Sequence, residues 1–370
     1  MSRVGATWGR MPRASRVLAL VPPILLVTAL VGGAFAVMGS GRPAPPDVAV
    51  VSPTASATPS ALPPEPSIDP SATPLPVPSA TPMPRGADPL LGTDGRLTVL
   101  LLGSDYRPAH PGNRTDAIIV VSIEPVSRRA ASFSIPRDTI RFPLGAGRSY
   151  APKVNGLYQT LQQTTGHGGK AMKAIVGRAY DIEVDWYAFI GFEGFKRLIG
   201  AVGGVDVTLK EPYYDPYYWV DRRTQGWGLP AGTSHLDADE ALIFARSRKG
   251  DNDFGRARRQ QQLVLAAVSK VSKLGVDRLP RLLSIARDTV RTDLPLAAAP
   301  LLFDIVSRTD ISRAHRVVFG PRMYTYELGG SSFSPDLAAC RKWIRANFPK
   351  ARPMGHWPVA ADQGSPSPSA

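Results

Sequence analysis

Apolar residues along the chain follow the two periods that distinguish strands from helices. Short β-rich apolar runs at 97–103, 117–123 and 131–135 predict three strands. Helical spacing at 155–163 and 169–180 predicts the first two helices. The remaining predicted elements are a strand at 186–190, a helix at 192–204, a strand at 205–209, a helix opened by a capping box at Asp237 to Glu240, and helices at about 256–274, 278–290 and 296–307. This alternation indicates the α/β class, with a mixed central β-sheet flanked by helices as an α-β-α sandwich.

A longer apolar segment, 17–39, precedes the predicted domain and contains no charged residue. It exceeds the roughly 20 residues that an α-helix needs to cross a bilayer. The residues before it include arginines but no acidic residue, so the positive-inside rule predicts a cytoplasmic tail at 1–16 and an extracytoplasmic domain. We therefore expect a single-pass anchor in the cell membrane. The alternative is a cleaved signal peptide, because residues 34–36 have the small-x-small form of a cleavage site.

Proline marks the boundary between the predicted anchor and the domain. Residues 41–90 hold 15 of the 37 prolines and no Phe, Trp or Tyr, so this stretch lacks the apolar surface that a core requires. We expect a disordered Pro/Ser/Thr/Ala-rich linker at 40–90, a catalytic domain at 91–275, a helical completion of that domain at 276–360 and a disordered tail at 361–370. The linker would hold the domain away from the membrane.

The charge of the chain favours anionic partners. The formal net charge is +14, and most of it falls after the linker. The single cysteine, Cys340, lies in an apolar helical context and is predicted to be buried rather than reactive. The five histidines are scattered without ligand spacing, so a zinc site is not expected.

Charged residues gather where the predicted strands begin and end. Asp105 follows the first strand, and Arg137 and Asp138 follow the third. Arg114 and Asp116 stand two apart as the second strand begins, so they can project to the same side. Ligands bind outside the carboxyl ends of strands in open α/β sheets. Carboxylates beside arginines suit a hard cation together with phosphate. Mg²⁺ binds carboxylate and phosphate oxygens, and guanidinium groups bind phosphate through paired donors. For any single motif, an ordinary surface ion pair is the alternative.

Seven segments resemble the LytR-CpsA-Psr family of cell-envelope proteins in order and spacing, over about residues 95–272. They are "LLLGSDYR", "NRTDAIIVVSI", "SFSIPRDT", "KVNGLY", "FEGFKRLIGAVGGVDV", "HLDADEALIFARSR" and "DNDFGRARRQQ". The resemblance implies a phosphotransferase that takes a glycopolymer from an undecaprenyl (polyprenyl) pyrophosphate carrier. It also implies transfer to a muramic acid hydroxyl of peptidoglycan through a phosphodiester, by an exported domain with one N-terminal span.

The resemblance also assigns roles to residues. Asp105 and Asp116 correspond to the carboxylates that hold Mg²⁺ (or Mn²⁺), and together with Arg137 and Arg256 they form the implied catalytic set. The implied pyrophosphate-binding set is Arg114, Arg137, Lys153, Arg246, Arg248, Arg256 and Gln260. Lys153 lies where this chain departs from the family, because "KVNGLY" lacks the usual Ala-Ala-Tyr ending. The aromatic stretch 211–227 is variable in such proteins, and either sugar or membrane contact or a loop packed on its own domain would explain it.

Helical phase divides the basic residues near the start of the helix at 256–274. An advance of about 100° per residue places one stripe on the core side. That stripe consists of Arg256, Gln260, Leu263, Ala267, Val271 and Leu274. Arg258 points away from it and is predicted to be solvated, while Arg259 flanks it. An extended backbone would turn Arg246 and Arg248 to one side. The alternative is that Asp251 and Asp253 neutralise these arginines and nothing else binds.

Several questions stay open at this level. Asp138 is a candidate proton acceptor, although an ion pair with Arg137 or a neighbour is the simpler role. A polyprenyl chain needs an apolar slot, which we expect between the sheet and the helices at 155–163 and 169–180. A basic anchored domain could also be a non-catalytic binding or regulatory module for an anionic wall polymer or nucleic acid. Paired carboxylates argue against pure binding, and export argues against a nucleic-acid partner.

Overall fold

The computed structural model describes residues 90–106, 113–273, 278–295, 298–326 and 332–351. The predicted cytoplasmic tail, the apolar segment 17–39, nearly all of the linker and the C-terminal tail lie outside these residues. No helix within the described ranges combines the length and the apolar character that crossing a membrane requires.

Strands and helices alternate along the described chain. The strands are β1 (Leu97–Ser104), β2 (Thr115–Glu124), β3 (Arg129–Ser134), β4 (Phe142–Gly145), β5 (Arg148–Tyr150), β6 (Trp186–Ile190), β7 (Val205–Leu209), β8 (Tyr213–Trp219), β9 (Gln225–Leu229), β10 (Gly232–Leu236), β11 (Val290–Thr292), β12 (His315–Val318), β13 (Tyr324–Tyr326) and β14 (Phe333–Pro335). The α-helices are α1 (Leu157–Thr165), α2 (Gly168–Tyr180), α3 (Phe192–Ala201), α4 (Ala238–Arg246), α5 (Asp253–Ser272), α6 (Leu279–Thr289), α7 (Ala299–Arg308) and α8 (Leu337–Asn347).

Six strands form the central sheet, in the order β11-β6-β1-β2-β3-β12. Strand β2 is antiparallel to both of its neighbours, whereas β6 pairs with β1 and β12 pairs with β3 in parallel. The sheet is therefore mixed, as the sequence predicts, and helices cover both of its faces.

Alternate residues of β1 pack into two different cores because successive side chains of a strand point to opposite faces. Leu100 and Leu102 join a core cluster with α1 and α2. Val99 and Leu101 join another cluster with residues of α5 and α7. Burial on both faces explains why β1 is an almost unbroken apolar run rather than an alternating one.

The predicted strands and helices are confirmed, with shifts at their ends. The capping box of α4 is present, since the Asp237 carboxylate accepts from the Glu240 amide and the Glu240 side chain accepts from the Asp237 amide. Gly203 and Gly204 end the α3 segment with left-handed φ angles of 77° and 81°. Helix α5 begins three residues before the predicted start, because Asn252 caps it by accepting from the Gly255 amide at 3.0 Å. Cys340 is buried as predicted.

Several strands were not predicted. The stretch 211–227 was treated as a possible loop, but it contains β8 and most of β9, which pair as an antiparallel hairpin. The part of the chain after 275 was expected to be helical, yet it also supplies β11 and β12, one at each edge of the central sheet. Strands β11 and β12 have three and four residues, which is too few for a periodic signal.

The interval between the sheet and α1 and α2 does not contain the predicted lipid slot. Tyr158 stacks on Phe189 with ring centroids 4.3 Å apart, and Met172 and Tyr180 are fully buried beside them. These side chains fill the interval as a packed core. An apolar cleft lies instead on the opposite face, between the sheet and α5 and α7.

Candidate functional site

A β-bulge places Asp116 at the end of the β1–β2 pair. Gly103 pairs with Ala117 and Ser104 pairs with Thr115, so Asp116 has no partner residue in the ladder. A bulge turns a side chain away from the regular alternation of the strand. We predicted from the regular alternation of a strand that Arg114 and Asp116 share a side. The strand is irregular at Asp116, so that argument does not apply.

Two hydrogen bonds join Asp105 and Arg114 just beyond this bulge. The Arg114 amide donates to Asp105 Oδ1 at 2.8 Å, and the Asp105 amide donates to the Arg114 carbonyl at 3.1 Å. These bonds fix the Asp105 carboxylate at the same end of the strand pair as Asp116. The Arg114 side chain is exposed.

Two donors hold the Asp116 carboxylate. Arg137 Nη1 donates to Oδ2 at 2.8 Å, and Asn155 Nδ2 donates to Oδ1 at 3.0 Å. Asn155 belongs to a short 3₁₀ turn before α1, and its carbonyl accepts from the Thr115 hydroxyl at 3.3 Å. The turn and the bulge thus support each other.

Arg137 is surrounded by carboxylates. Besides Asp116, its Nε lies 3.4 Å from Asp138 Oδ2 and 3.8 Å from Asp253 Oδ2. Burial alone would lower the pKa of Arg137, but the attraction of the three carboxylates outweighs it and raises that pKa. This guanidinium therefore stays charged.

Arg256 occupies the first turns of α5 and is only 2% exposed. Its one recorded ion pair joins Nη2 to Asp253 Oδ1 at 3.2 Å. Burial, followed by repulsion from Arg137, lowers the pKa of Arg256 to about 10. Gln260, one turn further along the helix, is also buried and donates weakly to the Ala245 carbonyl at 3.4 Å.

Three nitrogens of these two arginines lack hydrogen-bond partners. Among the described residues, Arg137 Nε, Arg256 Nε and Arg256 Nη1 are the buried side-chain nitrogens or oxygens left without one. A buried unsatisfied donor costs free energy, more so on a charged group. Native proteins leave few such groups, so three on adjacent guanidinium groups indicate a site prepared for an anion.

An open cleft of about 310 Å³ adjoins this arginine pair. Asp138 and Lys153 face it, with Lys153 Nζ 2.6 Å from Asp138 Oδ1. Burial raises the pKa of Asp138, as does its hydrogen bond with the Asp253 carboxyl, whereas Lys153 and Arg137 oppose that rise. For Asp253 the pKa falls, because the hydrogen bond from Asp138 and the nearby arginines outweigh its burial. Of these two carboxyl groups, Asp138 is therefore the one that takes up a proton first as the pH falls.

A buried aspartate holds the turn that carries Arg248. Asp215, at the base of the β8–β9 hairpin, accepts from the Ser247 hydroxyl at 2.6 Å and from the Arg248 and Lys249 amides at 2.9 Å each. The Arg248 side chain then reaches Asp253, with Nε 3.3 Å from Oδ1. Three donors on one carboxylate make this turn rigid.

Arg246 and Arg248 have different contacts in the structure. Arg246 is the last residue of α4, and its guanidinium lies over the rings of Phe192 at 5.3 Å and Tyr218 at 5.9 Å. The predicted extended backbone is absent at Arg246 because the helix continues through it. The two side chains therefore serve different surroundings.

The structure thus divides the residues proposed from the sequence. It brings together Asp116, Arg137, Lys153, Arg248, Arg256 and Gln260. Asp105, Arg114 and Arg246 line neither the open cleft nor the small pocket beside Arg256 that Asp116 and Gln260 line. Sequence reasoning missed Asp253, which it treated only as a neutralising charge, and it missed Asn155 and Asp215 altogether. An N-cap signal at Asn252 would have identified Asp253 as the first residue of α5.

The predicted phase of α5 is confirmed where it can be compared. Arg256, Gln260, Leu263, Ala267 and Val271 are all buried, Arg258 is exposed, and Leu274 lies outside the described residues. The alternative reading is correct in part, since Asp251 pairs with Arg259 and Asp253 pairs with Arg248 and Arg256. It fails to account for the unsatisfied nitrogens.

Comparison with known proteins identifies the class. The sequence model of the LytR-CpsA-Psr (LytR_cpsA_psr) family matches residues 79–320, which is well over half of the chain. The chain therefore belongs to the LytR-CpsA-Psr family.

Curated relatives share moderate identity with the chain. The polyisoprenyl-teichoic acid–peptidoglycan teichoic acid transferase TagU of Bacillus cereus (strain AH820) is 35% identical over 177 residues, covering 47% of this chain and 52% of that protein. The polyisoprenyl-teichoic acid–peptidoglycan teichoic acid transferase TagV of Bacillus subtilis (strain 168) is 31% identical over 252 residues, covering 66% of this chain and 62% of that protein. The chain thus spans about half to three-fifths of the length of these relatives.

Solved structures support the same fold. The crystal structure of B. subtilis TagV aligns with a TM-score of 0.55 and 25% identity, over 69% of this chain and 97% of that one. A structure of TagT bound to LIIa-WTA aligns with a TM-score of 0.53 and 24% identity, over 70% of this chain and 92% of that one, and this similarity bears on the fold alone.

Proposed function

We propose that this protein is a phosphotransferase that moves a glycopolymer from a polyprenyl pyrophosphate carrier to peptidoglycan, with which the polymer forms a phosphodiester link. The observation that carries the proposal is the set of three unsatisfied guanidinium nitrogens on Arg137 and Arg256. A pyrophosphate supplies several acceptor oxygens and more than one negative charge to a single small site, so it would satisfy all three. The names of the transferase relatives agree with this reading.

Charge balance favours an anion at this site. Four cations, Arg137, Lys153, Arg248 and Arg256, face the carboxylates of Asp116, Asp138 and Asp253. The four cations outnumber the three carboxylates, so the cluster carries an excess of positive charge even when all three carboxylates are ionised. Such an excess in a buried setting attracts a polyanion far more strongly than it would in water.

The proposed cofactor is Mg²⁺ or Mn²⁺, held by Asp105 and Asp116 together with phosphate oxygens of the substrate. Among the described residues, no group of three or more His, Cys, Asp and Glu could hold a metal ion by itself. Two carboxylates at one end of the β1–β2 pair nevertheless fit Mg²⁺, which usually keeps phosphate oxygens and waters as its other ligands. When bound, the cation would neutralise charge on the phosphoryl oxygens.

In the proposed reaction, an acceptor hydroxyl of peptidoglycan attacks the phosphorus that carries the polymer. The new P–O bond forms as the P–O bond to the lipid phosphate breaks, and the lipid phosphate leaves with the electron pair. Arg137 and Arg256 stabilise the charge on the phosphoryl oxygens. Asp138 accepts the hydroxyl proton, since its raised pKa brings this carboxylate closer to the working range of a general base.

The polyprenyl chain requires apolar surroundings. The apolar cleft between α5 and the sheet is lined by Ile119, Val264, Val268 and neighbouring residues. Gln261 lies at its edge and donates to the Ser134 hydroxyl at 2.8 Å, and Ser134 also lines the pocket beside Arg256. The cleft has only about 30 Å³ as it stands, so we infer that this face of α5 separates from the sheet to admit the lipid chain, while its pyrophosphate stays at the arginines.

We propose that residues 17–39 anchor the protein in the cell membrane, with the N-terminus in the cytoplasm and the catalytic domain outside. An export-dependent reporter fused near residue 60 would then be active in a bacterial host, and the chain would fractionate with membranes. A mature N-terminus at Val37 would show cleavage instead.

The proposed function can be tested by reconstitution. The full chain, purified in detergent, is incubated with a polyprenyl-pyrophosphate sugar, Mg²⁺ and a peptidoglycan fragment. We expect a phosphodiester-linked product by mass spectrometry, nearly abolished by Asp116→Asn and by excess chelator. Full turnover in chelator would contradict the metal requirement, and polymer binding without any product would favour a binding module.

A further inference from the structure

A C-terminal ribbon borders the cleft beside the arginines, although it lies beyond the part of the chain that the family model matches, which ends at residue 320. Strands β13 and β14 form this ribbon as an antiparallel pair. The Phe333 amide donates to the Asp138 carbonyl at 3.2 Å, and the Ile140 amide donates to the Phe333 carbonyl at 2.9 Å. The ribbon is therefore attached directly to the segment that presents Asp138.

Buried aromatic contacts fix the position of the ribbon. The Tyr324 hydroxyl is 2.9 Å from that of Tyr180, and both residues belong to the main core beside α2. Phe333 is buried, and its ring centroid lies 5.2 Å from that of Phe254. Phe254 stands two residues before Arg256 in the first turn of α5. The ribbon thus has a defined position relative to the arginine pair.

Tyr326 presents an aromatic surface to the cleft. Its ring meets that of Phe333 edge to face, with centroids 4.9 Å apart and planes at 79°. It nevertheless remains 48% exposed, unlike the other aromatic side chains of the ribbon. A large aromatic residue held in place at the mouth of a polar cleft is a common feature of ligand sites.

Apart from Phe254, the rest of the cleft lining is polar or charged. It consists of Arg137, Asp138, Lys153, Arg248, Asn252 and Asp253. The cleft has about 310 Å³, at the small end of the range for ligand pockets. Its lining combines an aromatic platform with charged donors and acceptors of hydrogen bonds, which does not suit a hydrocarbon chain but suits a sugar next to a phosphate.

We propose that this cleft is a sugar-binding subsite in which Tyr326 stacks on the apolar face of a pyranose. The hydroxyl groups at the rim of the ring would meet Lys153, Asn252 and Asp138. The inference rests on the proposed function, since the reacting phosphorus there has a sugar on each side.

Either of two sugars could supply the pyranose: the acceptor sugar of peptidoglycan or the first sugar of the donor polymer. A hydroxyl held beside Asp138 would be next to the proposed proton acceptor, which favours the acceptor sugar. The two sources differ in which ligand loses affinity when the platform is removed.

The test compares Tyr326→Ala with Tyr326→Phe, which keeps the ring, and with Tyr217→Ala, which removes an aromatic residue of similar exposure from the β8–β9 hairpin. Binding of a short peptidoglycan glycan, and separately of a polyprenyl-pyrophosphate sugar, is titrated against each full-length variant without turnover. We expect Tyr326→Ala to weaken one of these ligands by about 3- to 10-fold, with changes under about 2-fold for the other two variants. Loss for the glycan identifies the acceptor sugar, and loss for the lipid-linked sugar identifies the donor sugar.

Inorganic pyrophosphate serves as the control ligand, and its affinity should be the same in all variants. Unchanged affinity of Tyr326→Ala for both sugars would overturn the subsite, even where wild-type protein catalyses transfer. Loss of sugar binding in Tyr326→Ala, together with no transfer by wild type, would retain the subsite and reject the proposed function.

Discussion

Two arginines of α5 lie one turn apart and are almost equally buried, yet their surroundings differ completely. Arg259 donates from Nε to the Phe244 carbonyl at 2.9 Å, and its other nitrogens bond Asp251 and the Ser247 carbonyl. Its guanidinium also lies 4.1 Å over the Tyr213 ring. Arg256, by contrast, has Asp253 as its one ion-pair partner among the described residues, and its Nε and Nη1 find no hydrogen-bond partner there.

The difference separates a structural arginine from a binding one. Arg259 satisfies carbonyls at the C-terminal end of α4, where helices leave such groups unpaired. It joins α4, α5 and the hairpin, so its contribution is to the free energy of folding. Arg256 leaves two buried nitrogens unsatisfied, and in the proposed function its contribution is to binding of the anion.

Removing Arg256 should give the largest change in activity. We expect Arg256→Ala to lower kcat/KM for the lipid-linked donor by about 100- to 1,000-fold, the size of effect seen when one donor to a developing anion is lost. Its melting temperature should not fall by as much as that of Arg259→Ala, since the Arg256 side chain loses one ion pair, with Asp253, and two of its nitrogens have no hydrogen bond to lose. Activity within a few-fold of wild type in a folded Arg256→Ala variant would contradict the difference proposed between Arg256 and Arg259.

Removing Arg259 should give the largest change in stability. Arg259→Ala leaves Asp251 and two carbonyls without their donor, and we expect a loss of about 3–5 kcal/mol in the free energy of unfolding. Urea denaturation of the full chain, followed by fluorescence, measures this loss. A loss below about 1 kcal/mol would show that the network around Arg259 is dispensable.

The carboxylates extend the comparison, because Asp138 faces the cleft whereas Asp251 does not line it. Lys153 lowers the pKa of Asp138 against burial and the Asp253 carboxyl, which raise it. Asp138 must be ionised to accept a proton, so activity should rise as the pH increases through its pKa. Replacing Lys153→Met raises that pKa further and should move the acid limb of the kcat/KM profile to higher pH. An unmoved limb would remove Asp138 from the proposed role.

The smallest effect is expected at Arg258, which lies between the two arginines in sequence and is exposed to solvent. Arg258→Ala should change activity by less than about 2-fold and stability by less than about 0.5 kcal/mol. It serves as the matched control, since it removes the same charge from the same helix. A decrease in activity comparable to that of Arg256→Ala would mean that activity depends on the net charge of the helix and not on the position of the arginine.

The sequence was sufficient for features that depend on local periodicity. The strands β1 to β3, the buried face of α5 and the opposite orientations of Arg256 and Arg258 all follow from spacing within one element. Asp253 was misjudged because its importance arises from Arg137 and Asp138, which are more than a hundred residues away in the chain. The bulge at Asp116 was equally inaccessible, since it depends on pairing between two strands.

The short C-terminal strands show the same limit. Strand β12 has four residues and owes its position to pairing with β3 rather than to its own propensity. The ribbon of β13 and β14 is placed by contacts with Asp138 and Tyr180, neither of which is local. Long-range contacts therefore decide which parts of the chain complete the candidate site.

The most direct test of the central claim is a calorimetric titration of the full chain with inorganic pyrophosphate and Mg²⁺. The account predicts that Arg256→Ala weakens binding by at least about 10-fold, as expected for loss of a charge-assisted hydrogen bond, while Arg258→Ala stays within about 2-fold of wild type. Equal affinities for wild type and a folded Arg256→Ala variant would contradict the claim that the unsatisfied guanidinium groups hold the pyrophosphate.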